Sequence, residues 1–310
     1  MPISDHVTSF ANRNVETFNP EVGISDPVGT AYVLRVEWDE INVDITKNLE
    51  LLLQDPQANQ LEALVIGPWH QEMDHTSSLV VNALVVAKEQ LTSLKAVFLG
   101  EITYDECEIS WIMQTDISPI LAAYPRLEVL QVRGGNGLEF NSLHHEHLKT
   151  LIVQTGGLSR NTIAQICSGN LPALKHLELW LGSEEYGGDS SIDDLRPILS
   201  GNLFPKLTYL GLSNSKYSDD IAQAIVQAPI IDRIKVLDLS LGTLGDEGAE
   251  ALLNSPAVNQ LGTLNVAENF LSDEMLERLK QLNIAVIADE QKEEEDEEED
   301  EYRRYCSVSE

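Results

Sequence analysis

Apolar residues recur along the chain in one spacing: an apolar residue, two others, a second apolar residue, one other, and a third. Eight copies follow one another, and their starts lie 21 to 33 residues apart. They begin at Leu61, Leu94, Leu127, Leu148, Leu174, Leu207, Ile234 and Leu261. In a strand alternate side chains share a face, so the fourth and sixth residues of a copy face away from the third, fifth and seventh. A period of this length predicts a repeat protein.

A helix is expected to follow each strand. In the copies from Leu148, Leu207, Ile234 and Leu261 the eleventh residue is apolar, and Ser or Gly comes next, where a helix would begin. Segments with helical periodicity follow, as at 246–253 and 272–279, with acidic residues in the first turn. Neither element can bury its apolar face alone, so the repeats must stack. We predict an α/β solenoid, a curved horseshoe with a parallel sheet on its concave side and helices on its convex side.

This pattern resembles the leucine-rich repeat of the ribonuclease-inhibitor-like subclass, over roughly residues 61 to 288. The asparagine that this repeat usually carries at its ninth position occurs only as Asn269, and glycine replaces it in four copies: Gly135, Gly156, Gly182 and Gly242. The loss of the asparagine ladder predicts a less regular solenoid.

A narrower resemblance lies in residues 148–158 and 171–182, together with Tyr186 and Gly187. These segments resemble a family of bacterial cytoplasmic leucine-rich repeat proteins of unknown biochemical role, whose members are often encoded near ATP-grasp and radical-SAM-type enzymes. The resemblance implies a partner role in a pathway and supplies no catalytic residues.

The chain divides into three predicted parts. Residues 1–60 form a lead-in whose first 30 residues look loosely attached, followed by a capping strand at 32–38 and a helix at 43–53. Residues 61–288 form the solenoid of about eight repeats and a final strand at 284–287. Residues 289–310 hold 12 acidic and 3 basic residues and are predicted to be a disordered acidic tail. The tail is interpreted either as a solubilising segment or as a contact for a basic partner.

The amino-acid composition limits the classes of partner and the cellular compartment that we expect for this protein. The formal net charge is −31, which disfavours binding to nucleic acid or to an anionic membrane. No apolar run has the length of a membrane helix, and the first residues lack the pattern of a secretory signal. The three cysteines stand far apart and suggest no disulfide framework. We therefore expect a cytoplasmic protein.

Signals for catalysis and for metal binding are weak. Potential metal ligands cluster at 70–75 and at 144–147, but solvated polar loops explain both segments more simply. Acidic neighbours should raise the pKa of the Cys107 thiol, and Cys167 is interpreted as a core residue. The sequence contains no P-loop, nucleophile elbow or dinucleotide-binding glycine motif. We predict no catalytic residue, no metal site and no cofactor.

The remaining candidate is a binding surface formed by the third, fifth and seventh positions of neighbouring strands. A central patch of partner-binding residues is predicted there, comprising Arg133, Gln154, His176, Glu178, Trp180, Tyr209 and Asp238. Trp, Tyr and Arg are the residue types that anchor protein interfaces, so Trp180 is predicted to be the exposed anchor. The alternative is that Trp180 and Tyr209 merely shield one another on the sheet.

Three functions follow from these features. The first is a non-enzymatic protein–protein interaction module or scaffold that uses the concave sheet. The second is a regulator of a GTPase or chromatin partner, because leucine-rich repeats with acidic tails recur in a Ran-GTPase activator and in acidic nuclear phosphoproteins. The third is a small-molecule enzyme, which the missing motifs disfavour. The sequence identifies the partner only as a protein.

Overall fold

The computed structural model describes residues 3–36, 44–70, 75–293, 295–297 and 301–309, without the side chains of 295–297 and 301–303. The chain forms two compact units. The N-terminal unit comprises residues 3–153 and 168–174, and the C-terminal unit comprises residues 154–167 and 175–309.

Each unit contains parallel strands that follow one another in chain order. The strands are β1 (Ser9–Phe10), β2 (Arg13–Thr17), β3 (Thr30–Leu34), β4 (Ala63–Ile66), β5 (Ala96–Leu99), β6 (Val129–Arg133), β7 (Thr150–Gln154), β8 (His176–Gly182), β9 (Tyr209–Ser215), β10 (Val236–Asp238), β11 (Thr263–Asn265) and β12 (Ala285–Ile287). The helices are α1 (Ile45–Leu53), α2 (Ser78–Ala87), α3 (Ser118–Ala123), α4 (Arg160–Cys167), α5 (Ile192–Leu199), α6 (Ser218–Ile225), α7 (Asp246–Leu253) and α8 (Asp273–Leu279).

The predicted register of the repeats is confirmed. Third positions pair with third positions, as Ala63 with Ala96 in the N-terminal unit and His176 with Tyr209 in the C-terminal unit. The residues at the first, fourth and sixth positions of the copies are buried, including Leu177 and Leu179. The repeated strand, turn and helix of the sequence analysis are therefore present, except that no helix lies between β6 and β7. We call the face that carries the third, fifth and seventh positions the inner face.

The predicted helix caps are confirmed at two of the four positions. The hydroxyl of Ser272 accepts a hydrogen bond from Met275 N at 3.2 Å, and the hydroxyl of Ser159 accepts one from Thr162 N at 3.1 Å. Ser218 instead lies inside α6, and its hydroxyl donates to Ser215 O at 2.8 Å. At α7 the carboxylate of Asp219 takes over the role of a cap, because it accepts hydrogen bonds from Gly245 N and Gly248 N.

The single asparagine at the ninth position fixes its turn through four hydrogen bonds. Asn269 is fully buried; its Oδ1 accepts from Leu244 N at 2.9 Å, and its Nδ2 donates to three main-chain carbonyls at 2.9–3.1 Å. Where Gly242 replaces this asparagine, hydroxyls bridge the turns instead: Thr243 N donates to Ser218 Oγ, and Thr243 Oγ1 donates to Ser215 O. The turn of that copy is therefore held by side chains from outside the ninth position.

Removing the amide of Asn269 should destabilise the protein. In the variant Asn269→Ala a buried N–H and several carbonyls lose their partner, and we expect the free energy of unfolding to fall by about 3 kcal/mol. Denaturant unfolding measures this change. Asn254→Ala is the matched control, because Asn254 is exposed and bonds only to Glu250 among the contacts seen. Equal effects of the two substitutions would contradict this role of Asn269.

The lead-in is not loosely attached, as the sequence suggested, but extends the sheet. β1 and β2 form an antiparallel pair, and β2 lies parallel to β3 with Asn14 opposite Thr30. The predicted capping strand starts and ends earlier than expected, as β3, and the predicted helix at 43–53 is observed as α1. Residues 37–43 lie outside the described residues.

The N-terminal segment covers the inner face of its own unit. The ring of Phe10 packs at 5.8 Å from the ring of Phe98, between ring centroids. Both rings belong to one buried cluster whose other members are small apolar residues at inner-face positions: Ala31, Val33, Ala63, Val65 and Ala96. This apolar face is closed by the chain itself.

A buried carboxylate holds the same segment in place. Glu101 is fully buried; it accepts hydrogen bonds from Val7 N at 3.0 Å and from Arg35 Nη2 at 2.8 Å, and it contacts His6 Nδ1 at 3.0 Å. Because a buried charge without partners is costly, these three groups fix the position of residues 6 and 7. The attachment therefore combines an apolar and an ionic contact.

Truncating the aromatic anchor should loosen this cover. We expect Phe10→Ala to lower the free energy of unfolding by about 3 kcal/mol, because the substitution leaves a cavity beside Phe98. The measurement is chemical denaturation of the full chain. Val22→Ala serves as control, since Val22 is 74% exposed and should change stability little. A Phe10 variant as stable as this control would show that the segment is loosely attached after all.

The end of the chain also departs from the expected disorder of residues 289–310. The main chain of residues 295–297 pairs antiparallel with that of 301–303. Residues 304–309 pack on the C-terminal unit, with Cys306 and Val308 buried, and Lys292 donates to Gly242 O at 2.9 Å. The basic and apolar residues near the end of the chain therefore contact the folded unit. The run of acidic residues before them offers no apolar side chains for burial. Residues 294 and 298–300 of that run lie outside the described residues.

Candidate functional site: the inner face of the C-terminal unit

The inner face of the C-terminal unit is polar, unlike the covered part of the inner face of the N-terminal unit on β3, β4 and β5. Its third and fifth positions include His176, Glu178, Tyr209, Asp238 and Asn265. In the register, Glu178 lies opposite Gly211, and Gly211 lies opposite Asp238. A Cβ atom on Gly211 would lie 2.9 Å from Glu178 Cγ, so the glycine leaves room for the Glu178 side chain. We call the four residues His176, Glu178, Tyr209 and Asp238, with Asn265, the polar cluster.

Aromatic stacking and a carboxylate organise one side of the polar cluster. The rings of His176 and Tyr209 stack with centroids 3.7 Å apart and planes inclined by 13°. Glu178 joins two neighbours, because its Oε2 lies 3.2 Å from His176 Nε2 and its Oε1 accepts from Trp180 Nε1 at 2.9 Å. The carboxylate of Glu178 is therefore held between an imidazole and an indole, with 17% of its side chain exposed.

Asp238 organises the other side. Its Oδ2 accepts hydrogen bonds from Tyr209 Oη at 2.8 Å and from Asn265 Nδ2 at 2.9 Å. Its Oδ1 accepts from Ser240 Oγ at 2.6 Å and from Ser213 Oγ at 3.2 Å. Four side chains, two from β9, one from β11 and one from the segment just after β10, thus converge on one carboxylate that is only 8% exposed. This arrangement fixes the Tyr209 ring beneath its stacking partner.

The phenol of Tyr209 is held in its neutral form. Burial raises the pKa of Tyr209 above its ordinary value, and the charges of Asp238 and Glu178 raise it further. The hydroxyl therefore donates a hydrogen bond to Asp238 and does not act as a base at neutral pH.

Trp180 occupies the predicted face, but it is not an exposed anchor. It pairs in register with Ser213, as the strand phase requires, yet only 5% of the residue is exposed. The polar end of the indole is used to hold Glu178. The sequence analysis offered two interpretations, an exposed anchor or mutual shielding with Tyr209. Neither described a contact between Trp180 and Glu178, which lies two residues away on the same strand. A tryptophan at this position acts as a positioning residue.

Two further members of the predicted patch are buried as well. Arg133 belongs to the N-terminal unit; its Nη1 donates to Ile102 O at 2.6 Å, and its guanidinium lies 5.3 Å from the centre of the Phe98 ring. Burial lowers the pKa of Arg133 to about 10, against the opposing effect of Glu101 and Glu106. Gln154 is 9% exposed. The structure brings His176, Glu178, Trp180, Tyr209 and Asp238 together by direct contacts.

The members that sequence reasoning did not select are Ser213, Ser240 and Asn265. All three stand at fifth or seventh positions next to Asp238, so the register did indicate that they share its face. In the sequence, small or neutral side chains such as these do not indicate a hydrogen-bond network. The network is seen only in the structure, where all three side chains donate to the carboxylate of Asp238.

The weaker candidates take structural roles where they are described. His145 is buried, and its Nε2 lies 3.0 Å from Tyr124 O. Burial raises the pKa of the Cys107 thiol to about 11, with Glu108 and Glu106 adding to the shift, as the sequence predicted. The rings of His70 and His75 stack at 3.7 Å, while residues 71–74 lie outside the described residues. The described residues contain no group of three potential metal ligands.

A cavity of about 390 Å³ lies beside the loop after β8. Its lining includes Ser183, Lys216, Tyr217 and Asp220. The glycines of this region allow close contacts between main-chain segments. A Cβ atom on Gly188 would lie 2.8 Å from Ser183 O, and there is likewise no space for a Cβ atom on Gly182 or Gly157. Of the segments that gave the narrower sequence resemblance, 148–158 and 171–182 contain β7 and β8, and Gly182 at the end of β8 also lines this cavity.

Comparison with known proteins bears on the fold. No protein-family model and no curated protein matches the chain. An internalin from Listeria monocytogenes aligns with a TM-score of 0.40 and 18% identity, over 75% of this chain and 56% of that chain. A Bacteroides fragilis protein, a target of the Northeast Structural Genomics Consortium, aligns with a TM-score of 0.82 and 29% identity, over 90% of this chain and 77% of that chain.

The chain has a leucine-rich repeat fold. The register of the eight copies, with leucines on one face and variable residues on the other, is what decides it. Among the described helices, none combines the length and the apolar character needed to cross a membrane.

The network around Asp238 predicts unequal effects of two substitutions. Tyr209→Phe removes one of its donors and should lower the free energy of unfolding by about 1 kcal/mol. Asp238→Ala leaves several donors without an acceptor at once and should cost about 3 kcal/mol. Denaturant unfolding of both variants measures the difference. An alanine variant no less stable than the phenylalanine variant would refute the central position of Asp238.

Proposed function

We propose that this chain is a protein-interaction module that binds a basic segment of a partner protein on the inner face of its C-terminal unit. The observation that carries the proposal is the polar cluster, where two carboxylates flank a stacked His176–Tyr209 pair. Over β3, β4 and β5 the inner face of the N-terminal unit is instead apolar and covered by Phe10. Binding is therefore assigned to the C-terminal unit.

The chemistry of the polar cluster suits a guanidinium or ammonium group. The side chain of Glu178, which is 17% exposed, lies beside the aromatic pair. A planar guanidinium can stack on an aromatic face while donating to a neighbouring carboxylate, and this combination favours Arg over Lys. Glu178 would supply the ionic contact and the exposed side of His176 or Tyr209 the stacking surface.

The charge of the whole chain supports the same kind of partner. With a formal net charge of −31, the protein attracts basic surfaces over a distance of about one Debye length. Such attraction mainly raises the rate of association and weakens as salt is added. A basic partner would therefore bind in a strongly salt-dependent manner.

The predicted partner-binding residues divide into two roles in this proposal. His176, Glu178 and Tyr209 offer accessible surface, with 27% of the His176 side chain exposed. Trp180 and Asp238 are buried and position them through the indole and carboxylate contacts. Arg133 and Gln154, which are also buried, are left out of the contact surface. The GTPase- or chromatin-type alternative stays a hypothesis.

The proposal can be tested by selecting peptides from a random display library on the full chain. We expect the selected peptides to be rich in arginine. Their affinity should fall by about tenfold or more in Glu178→Gln, because the substitution removes the charge and keeps the shape. The same affinity should decline steeply between low and moderate salt.

Glu50→Gln is the matched control, since Glu50 is exposed on α1 in the other unit. This variant should bind the peptides like the wild type. Selection of peptides without basic residues, or equal binding by the Glu178 variant, would refute the proposed surface.

A further inference from the structure

The end of the chain lies on the C-terminal unit in the manner of a bound peptide. Its burial alternates: Cys306 and Val308 are each 4% exposed, while Ser307 and Ser309 are partly exposed. Side chains two residues apart are thus directed into the same surface. The segment forms neither helix nor strand, and its main chain bends at Ser307.

The surface recognises mainly the main chain of this segment. Asn214 Oδ1 accepts from Val308 N at 2.9 Å, and Asn214 Nδ2 donates to Val308 O at 2.5 Å. Ser307 N donates to Leu241 O at 2.8 Å. Hydrogen bonds to the main chain do not depend on which side chains a peptide carries. The same groups can therefore hold peptides of other sequences.

Asn214 is prepared for this contact by the fold of its repeat. It is fully buried at the end of β9, in the left-handed conformation with φ of 51°, and its own N–H donates to Ser240 O. Its Nδ2 makes a further contact with Thr155 O at 3.2 Å. The carboxamide is thereby aligned so that both its polar atoms meet the main chain of one residue, as a strand edge would do.

Two lysines complete the recognition of the main chain. Lys216 Nζ donates to Arg304 O at 2.6 Å. Lys292 Nζ donates to Tyr305 O at 2.7 Å and to Ser307 Oγ at 3.0 Å, and it lies 4.7 Å from the centre of the Phe270 ring. Each ammonium group therefore binds one main-chain carbonyl, an acceptor that any peptide carries, and Lys292 also binds the Ser307 hydroxyl.

Side-chain selectivity comes from three positions. Arg304 Nη1 lies 3.1 Å from Asp219 Oδ2, and Gly245 leaves the space that its guanidinium occupies. The small side chains of Cys306 and Val308 fill the buried positions two and four residues later. The preferred ligand thus carries a basic residue followed, at the second and fourth places after it, by small apolar residues.

We propose that Asn214 at the end of β9 and the loops after β9, β10, β11 and β12 form a binding site for a peptide of this pattern, which residues 304–309 occupy in cis. The ligand in trans is a segment of a partner protein with the same alternation, and it must compete with the tethered segment. A tethered ligand reaches an effective concentration of about 1 mM, so the cis segment masks the site against weak competitors. This site is separate from the polar cluster and does not depend on the function proposed for it.

The test uses the full chain and a fluorescent synthetic peptide. The peptide carries the sequence of residues 303–309, with alanine at the position of Cys306. In the variant Val308→Asp a carboxylate replaces a buried apolar side chain, which should expel the cis segment. We expect this variant to bind the peptide about tenfold or more tightly than the wild type, measured by fluorescence anisotropy.

Three controls make the result specific. Val22→Asp brings the same chemical change to an exposed position and should bind the peptide like the wild type. Adding Lys216→Met to Val308→Asp removes a donor to the peptide main chain from an exposed side chain and should weaken binding severalfold. Alkylation of Cys306, followed by mass spectrometry, reports whether the cis segment has left the site and should be faster in Val308→Asp than in the wild type.

Two results would overturn the proposal. One is faster alkylation of Cys306 in Val308→Asp without tighter peptide binding, since an emptied site would then fail to accept the ligand. The other is unchanged alkylation in that variant, since the buried side chain of Val308 would then not hold the segment.

Discussion

The separation of side chains between the two faces of the parallel strands is the constraint on which the rest of this structure depends. Leucines at the first, fourth and sixth positions are buried repeat after repeat, and the register between strands keeps equivalent positions aligned. A shift by one residue would bring the opposite face to the core, so the burial of the leucines fixes the register strongly. Every residue at a third, fifth or seventh position is thereby placed on the inner face.

The two units use this face in different ways. In the N-terminal unit the part of this face on β3, β4 and β5 is apolar and closed by Phe10 and by the contacts of Glu101. In the C-terminal unit it carries the polar cluster, where Asp238 and Glu178 position a stacked pair of rings. The same repeat therefore provides a sealed surface in one unit and a partly accessible acidic surface in the other.

The sequence predicted those features that repeat and missed those that occur once. The register and most of the helices follow from local spacing, because the copies present the same pattern. The sequence pattern does not indicate the cover formed by Phe10, the docking of residues 304–309 or the burial of Trp180. Each of these depends on contacts that lie outside the repeat spacing. Phe10 meets Phe98 from a distance of 88 residues in the chain, and Asn214 meets Val308 from 94.

The difference in accessibility between the two inner faces is the central claim, and hydroxyl-radical footprinting with mass spectrometry tests it most directly. Oxidation of each aromatic residue reports the exposure of its ring in solution. The structure predicts measurable oxidation of His176 and Tyr209, together with protection of Phe10, Phe98 and Trp180. Rapid oxidation of Phe98 and Phe10, or protection of His176 and Tyr209 in the isolated chain, would contradict the account.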